Sequence, residues 1–280
     1  MVITMFPLSS APGIARFLAA VVMRLDRRHR TVAAANLERT RITNDIPSMI
    51  RRVYEHMALS ILEILMIPRI ARHHGMSRCV KLERLEIADR ARAGGKGFIC
   101  LIGHVGNWEI GGLAVTTAGY PLHSLARPIE NPHIERWLFQ TRTSTGQVMI
   151  SKYRALHTMV DVLKRGEILV IQCDQDAGPG GVFVDFLGLP ASTVRSPALL
   201  ALKYGVPIVP TNFYREKGVN YVVVGDPIDP AGFRGRPDAV RALTQEFTRQ
   251  IERFVRMHPE QWNWLHRRWK TPEPAGVTVS

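Results

Sequence analysis

The stretch His104-Val105-Gly106-Asn107-Trp108-Glu109 puts an imidazole and a carboxylate within six residues, directly after the apolar run Gly97-Phe98-Ile99-Cys100-Leu101-Ile102. Histidine exchanges a proton near neutral pH, and a carboxylate beside it fixes its tautomer, so the pair suits general-base activation of a weak nucleophile. Such chemistry belongs at strand ends in α/β enzymes. On one continuous helix a five-residue offset separates two side chains by roughly 140°, so a turn must intervene. Gly103 and Gly106 supply it. Asn107 then caps a helix running from Trp108 through Ile110 and Leu113 to Val115, with Glu109 in its positive first turn and near enough to orient His104. The same residues also fit a satisfied loop histidine beside a helix-capping glutamate.

Two further clusters could complete a site. Asp174 and Asp176 follow the apolar run Ile168-Leu169-Val170-Ile171 and precede the flexible Gly178-Pro179-Gly180-Gly181. Acids at a strand exit suit electrostatic organisation of a site, or turn chemistry alone. The second cluster is basic: Arg127, Arg136, Arg142, Lys152 and Arg154 could bind phosphate or brace an oxyanion, or lie solvated on the surface. No Gly-x4-Gly-Lys-Ser/Thr or Gly-x-Gly-x-x-Gly pattern occurs, so no nucleotide cofactor is expected, and no His/Cys/Asp spacing asks for a metal. The three cysteines, Cys79, Cys100 and Cys173, read as free thiols of a reducing compartment. Two lie inside apolar runs, where catalysis is not expected.

These groups must be positioned by alternating elements. Strand patterns fall at 98–102, 122–126, 168–173, 207–213 and 220–224. Helical patterns fall near 108–118, 132–145, 152–165, 195–204 and 237–257. That order is α/β, a largely parallel central sheet flanked by helices. Upstream, Asp45 and Pro47 open a helix to about Arg72, whose stripe through Met49, Val53, Met57, Ile61 and Ile64 fits core or an acyl-chain groove. The boundaries drawn are 1–45, an N-terminal helical membrane-associating segment; 46–270, one α/β domain; and 271–280, a flexible tail. The first segment has a short apolar run from Phe17 to Met23, then Arg24, Arg27, Arg28 and Arg30. That run is far below the ~20 residues that span a bilayer, so it reads as an interfacial anchor, or as a helix packed on the domain.

With 280 residues, 46% of them hydrophobic, the chain can bury one large core. Its formal charge of +13 predicts an anionic partner. No reading helix, zinc pattern or aromatic-basic interleaving points to nucleic acid, which leaves anionic lipid or an acidic protein.

Five segments together resemble a family. They are Gly103 to Glu109; Arg127-Pro128-Ile129-Glu130-Asn131-Pro132; Asp174-Gln175-Asp176-Ala177-Gly178-Pro179; Gly181-Val182-Phe183-Val184-Asp185-Phe186; and Pro259-Glu260-Gln261-Trp262-Asn263-Trp264-Leu265-His266-Arg267-Arg268-Trp269-Lys270. The chain is similar to the late-acting lipid A biosynthesis acyltransferases of the lauroyl/myristoyl type, within the lysophospholipid-acyltransferase-like superfamily. The resemblance implies a glycerolipid-acyltransferase-like fold and a cofactor-free transfer at the cytoplasmic face of the inner membrane. A fatty acyl chain would pass from an acyl carrier protein thioester, or acyl-CoA, to a hydroxyl of a glucosamine-based lipid A precursor. His104 would act as base oriented by Glu109. Arg127, Arg142, Asp176 and, less directly, Asp174 would bind substrate, with Arg142 the oxyanion or acceptor-phosphate group. The chain departs from the family at its short first apolar segment, at Gly180-Gly181 where relatives often carry a basic residue, and at Arg195. A related branch acylates phosphatidylinositol mannosides. An inert basic membrane-binding protein and an acyl thioesterase are the readings from other classes.

Overall fold

Strands as uniformly apolar as 98–102 leave no face for water, so both faces must be covered. The computed structural model, which describes residues 10–73, 75–126, 129–151 and 155–274, has that arrangement. A seven-stranded sheet contains β1 (Val80–Glu83), β2 (Phe98–Ile102), β3 (Leu122–Ala126), β4 (Val148–Ser151), β5 (Ile168–Gln172), β8 (Ile208–Glu216) and β9 (Val219–Val224), in the order β1-β9-β8-β2-β5-β3-β4. Every neighbouring pair is parallel except β8 and β9. Those two reverse through Lys217 (φ 48°) and Gly218 (φ 79°), the paired positive φ values of a tight hairpin turn. A separate hairpin, β6 (Val182–Phe186) with β7 (Leu189–Thr193), forms where the sequence suggested a motif but no strands. Strands β1 and β4, also unforeseen, are four-residue strands at the sheet's two ends, too short for a clear alternating pattern.

The helices that matter here are α1 (Ala11–Leu25), α2 (Arg27–Thr40), α3 (Ile46–His73), α4 (Leu85–Arg92), α5 (Trp108–Thr117), α6 (Pro132–Thr143), α7 (Leu156–Lys164), α8 (Ser196–Tyr204) and α9 (Ala239–Met257). Alternation along each strand divides the core between the sheet's two faces. Ile99, Leu101, Leu169 and Ile171 join Phe247, Ile251 and Trp264 in one cluster. Phe98, Cys100, Ile102, Ile168 and Val170 join Ile110 and Leu113 of α5 in the other.

The N-terminal segment is helical and packs on the domain, one of the two readings weighed from the sequence. Helix α1 buries Ala11, Ala15 and Ala19 and packs extensively on α3, while Phe17, Val21, Val22 and Leu25 face outward. Among the described residues no helix is long and apolar enough to cross a membrane.

Candidate active site

The register Ile102↔Gln172 joins the C-terminal ends of β2 and β5. Two residues beyond each lie His104 and Asp174. The Asp174 carboxylate accepts hydrogen bonds from His104 Nδ1 (2.6 Å), the His104 backbone N–H (2.6 Å) and the Trp262 indole N–H (2.7 Å). Burial alone would raise the Asp174 carboxyl. The adjacent His104 charge and these three donors outweigh burial and hold it at about 2. Reciprocally, burial depresses the His104 imidazole, but the charge and hydrogen bond of Asp174, with a smaller contribution from Glu109, raise it above its ordinary value. Nδ1 is therefore the donor to Asp174, which leaves Nε2 as the acceptor when the ring is neutral. The exposed Gln175 amide lies 3.3 Å from Nε2.

This geometry corrects the expectation that Glu109 orients the imidazole. Glu109 lies in the first turn of α5, as the Asn107 cap predicts: Asn107 Oδ1 accepts the Ile110 N–H at 3.3 Å. Its carboxylate, however, is gripped by Arg142 in the last turn of α6, through Nε at 2.8 Å and through Nη2. The capped helix turns Glu109 towards α6, whereas the loop turns His104 towards β5. Trp108 meets the His104 ring edge-on, 4.9 Å between centroids. Asp176, favoured over Asp174 from the sequence, instead accepts Thr271 Oγ1 at 2.8 Å, and its backbone N–H donates to His266. Arg127, Lys152 and Arg154 lie outside the described residues.

Gly106 makes the turn, with φ 64° and the Phe213 carbonyl 2.2 Å from where a Cβ would stand. Gly103 needs no positive φ. Its lack of a Cβ leaves room for Asp174 and Ile251, 3.2 and 3.0 Å away. The loop is bound to the C-terminal segment by an antiparallel bridge between Val105 and Trp262, with Gly106 N–H donating to Gln261 and Asn263 N–H to His104.

A buried network behind this loop was not foreseen. Arg215 of β8 grips Glu63 of α3 through Nε (2.9 Å) and Nη2 and donates to His56 Nδ1, while Asn107 Nδ2 donates to Glu63 at 2.7 Å. Burial, with the nearby Arg215 charge, pushes His56 down to about 3, so it is neutral. The sequence signal was one glutamate inside the apolar run Ile61 to Ile67. Arg268, wholly buried, cradles the Asp174 loop through the Gln175 carbonyl and β7 through Ser192 and Thr193.

His104 opens into an apolar groove of about 490 Å3 between α3, α6 and the C-terminal segment, bordered by Met57, Ile61, Ile64, Trp137 and Leu138. Part of the methionine stripe thus faces the site. Trp108 and Glu109 separate this groove from a narrow interior crevice of about 80 Å3 between the sheet and α5. Cys100 lines the crevice, its thiol pushed up to about 11 by burial, and burial raises the Cys173 thiol as well, so both are poor nucleophiles. Among the described residues no cluster of three His, Cys, Asp or Glu could hold a metal ion.

The family model for bacterial lipid A biosynthesis acyltransferases matches residues 1–271. The chain belongs to this acyltransferase family. Among curated relatives, it is 33% identical over 158 residues to a lipid A biosynthesis lauroyltransferase of Escherichia coli, covering 54% of this chain and 49% of that one. It is 29% identical over 188 residues to a lipid A biosynthesis acyltransferase of Haemophilus influenzae, 65% of this chain and 56% of that one. It is also 24% identical over 216 residues to a phosphatidylinositol mannoside acyltransferase of Mycobacterium tuberculosis, 74% of this chain and 66% of that one. The matched stretches thus span about half to two thirds of these relatives.

Proposed function

We propose that the protein transfers a fatty acyl group from an acyl carrier protein thioester to a hydroxyl of a lipid A precursor, with His104 as general base held by Asp174. The observation that carries this reading is the Nδ1 bond to a buried, ionised Asp174, which leaves Nε2 to accept a proton beside an apolar groove. The acceptor hydroxyl takes the place of the exposed Gln175 amide and gives its proton to Nε2 as its oxygen bonds to the thioester carbonyl carbon. The C–S bond then breaks, and the thiolate leaves with the proton from His104. No covalent enzyme intermediate is formed. The acyl chain occupies the groove, with the crevice behind Trp108 as its continuation.

Arg142 donates one N–H from Nε and one from Nη2 to Glu109, and its other guanidinium N–H groups are donors for a developing oxyanion or an acceptor phosphate. The outward apolar residues of α1, with Arg16, Arg24, Arg27 and Arg28, support attachment to an anionic membrane surface at the cytoplasmic side. A phosphatidylinositol mannoside is the second candidate acceptor, favoured by the relative that matches 74% of the chain.

The test is transfer of a labelled acyl group from its carrier to either lipid, comparing wild type with His104→Ala, Asp174→Ala and Glu109→Ala. Loss in the first two variants, with label in one lipid, is expected. Wild-type rates in His104→Ala would refute the mechanism, and label in neither lipid would refute both acceptors.

A further inference from the structure

The groove over His104 does not end at α3. Met57, Ile61 and Asn263 border it and also border a second trough of about 460 Å3, which runs towards α1 between Val22, Ala58 and Leu265. The trough is predominantly apolar, with Asp26, His29 and His266 among its polar lining residues. Val22 is 49% exposed and Ile61 56% exposed. The trough therefore opens beside the outward apolar face of α1 at one end and joins the groove of His104 at the other.

Resting on the acyl-transfer reading above, we propose that this trough is the acceptor subsite and holds a hydrocarbon chain of the acceptor lipid. Transfer between two chain-bearing molecules needs two apolar spaces that meet near the base; these two share Met57, Ile61 and Asn263, and His104 borders the groove they join. The groove between Trp137, Leu138 and Trp108 leads inward, towards the crevice beneath α5, and suits the chain presented by the thioester. The trough leads outward, to exposed apolar side chains, and suits a molecule drawn from a lipid surface with its chain still partly embedded. Its polar residues provide hydrogen-bonding groups for the hydroxylated headgroup of such a lipid. Asp26 is already fixed there, accepting from Tyr54 OH at 3.1 Å and pairing with His29 Nδ1 at 2.8 Å.

Two variants of the full chain test this. Ala58→Trp fills the trough, and Val22→Asp puts a charge at its exposed mouth with little risk to folding. Each is assayed in detergent micelles with a labelled acyl carrier thioester and two acceptors of the same sugar headgroup, one with its long acyl chains and one without. The kcat/KM preference for the chain-bearing acceptor is expected to fall about tenfold or more in both variants, through its KM, while the KM for the thioester stays at the wild-type value. An unchanged preference in Val22→Asp would overturn the subsite, and a raised KM for the thioester would assign the trough to the donor chain instead. Wild type that transfers to neither acceptor would instead overturn the acyl-transfer reading, and the subsite with it.

Discussion

The His104–Asp174 contact has a consequence for pH that follows from its sign. In the proposed mechanism the neutral imidazole is the active form, so the rate is expected to rise as pH passes upward through the His104 pKa. Asp174 raises that pKa above 6.5, and the acid limb of kcat is expected above 6.5 in the wild type. Asp174→Asn removes the charge that raises it and leaves the burial that lowers it, so the limb moves to lower pH while the plateau falls by about 10⁴-fold. A pH–rate profile of both proteins reads this directly, and an unmoved limb would show that Asp174 does not set the histidine. The Asp174 carboxyl, held near 2, contributes stability that is complete above 3.8 and fades as pH falls towards 2. At Gly106, Ala would combine a positive φ with a carbonyl 2.2 Å from its Cβ. Gly106→Ala is expected to lower stability by about 1–3 kcal/mol, read as a lower urea midpoint.

At the scale of elements, the site depends on a helix, a strand and a loop meeting at one ion pair. Arg215 of β8 and Glu63 of α3 are both largely buried, and Asn107, which caps α5, leans on the same carboxylate. Removing one partner leaves a buried charge, so Glu63→Gln is expected to cost about 3–5 kcal/mol in urea unfolding. Replacing both, Glu63→Met with Arg215→Met, should recover part of that loss, and a double-mutant cycle measures the coupling. Asn107→Ala removes the cap as well as a bond to Glu63 and should cost about 1 kcal/mol or more. Of these elements, β8 and α3 were foreseen from their apolar periods. Their junction was not, because one glutamate in an apolar helix and one arginine near the end of a strand carry no sequence record of each other.

Across the whole molecule, the proposed membrane attachment draws on both the formal charge of +13 and the outward apolar face of α1. Alanines face the domain and large apolar side chains face out, which is costly in water and favourable at a lipid surface. Phe17→Ser with Val21→Ser and Leu25→Ser is expected to abolish sedimentation with anionic phosphatidylglycerol vesicles while the protein stays folded. Reversing Arg24, Arg27 and Arg28 to Glu should weaken binding by about 100-fold or more, at about 1 kcal/mol per arginine, and raised salt should reproduce much of that loss. Equal binding to neutral phosphatidylcholine vesicles would count against the electrostatic part.

The sequence by itself determined which strands carry the site and which residue types reach its surface. Apolar runs that end in Gly103-His104 and Cys173-Asp174 read as buried strands with polar residues at their exits, and the Asn107 cap sets where α5 begins. Which acid serves which partner was decided by tertiary structure. Glu109 lies five positions from His104 and Asp174 seventy, so proximity in the chain favoured Glu109, whereas the Nδ1 hydrogen bond goes to Asp174. Strand pairing reverses that order: the register of β2 on β5 fixes residues 104 and 174 side by side, while the capped turn rotates Glu109 away to Arg142. A register is a property of two chain segments and the turns between them, and no single stretch of sequence contains it.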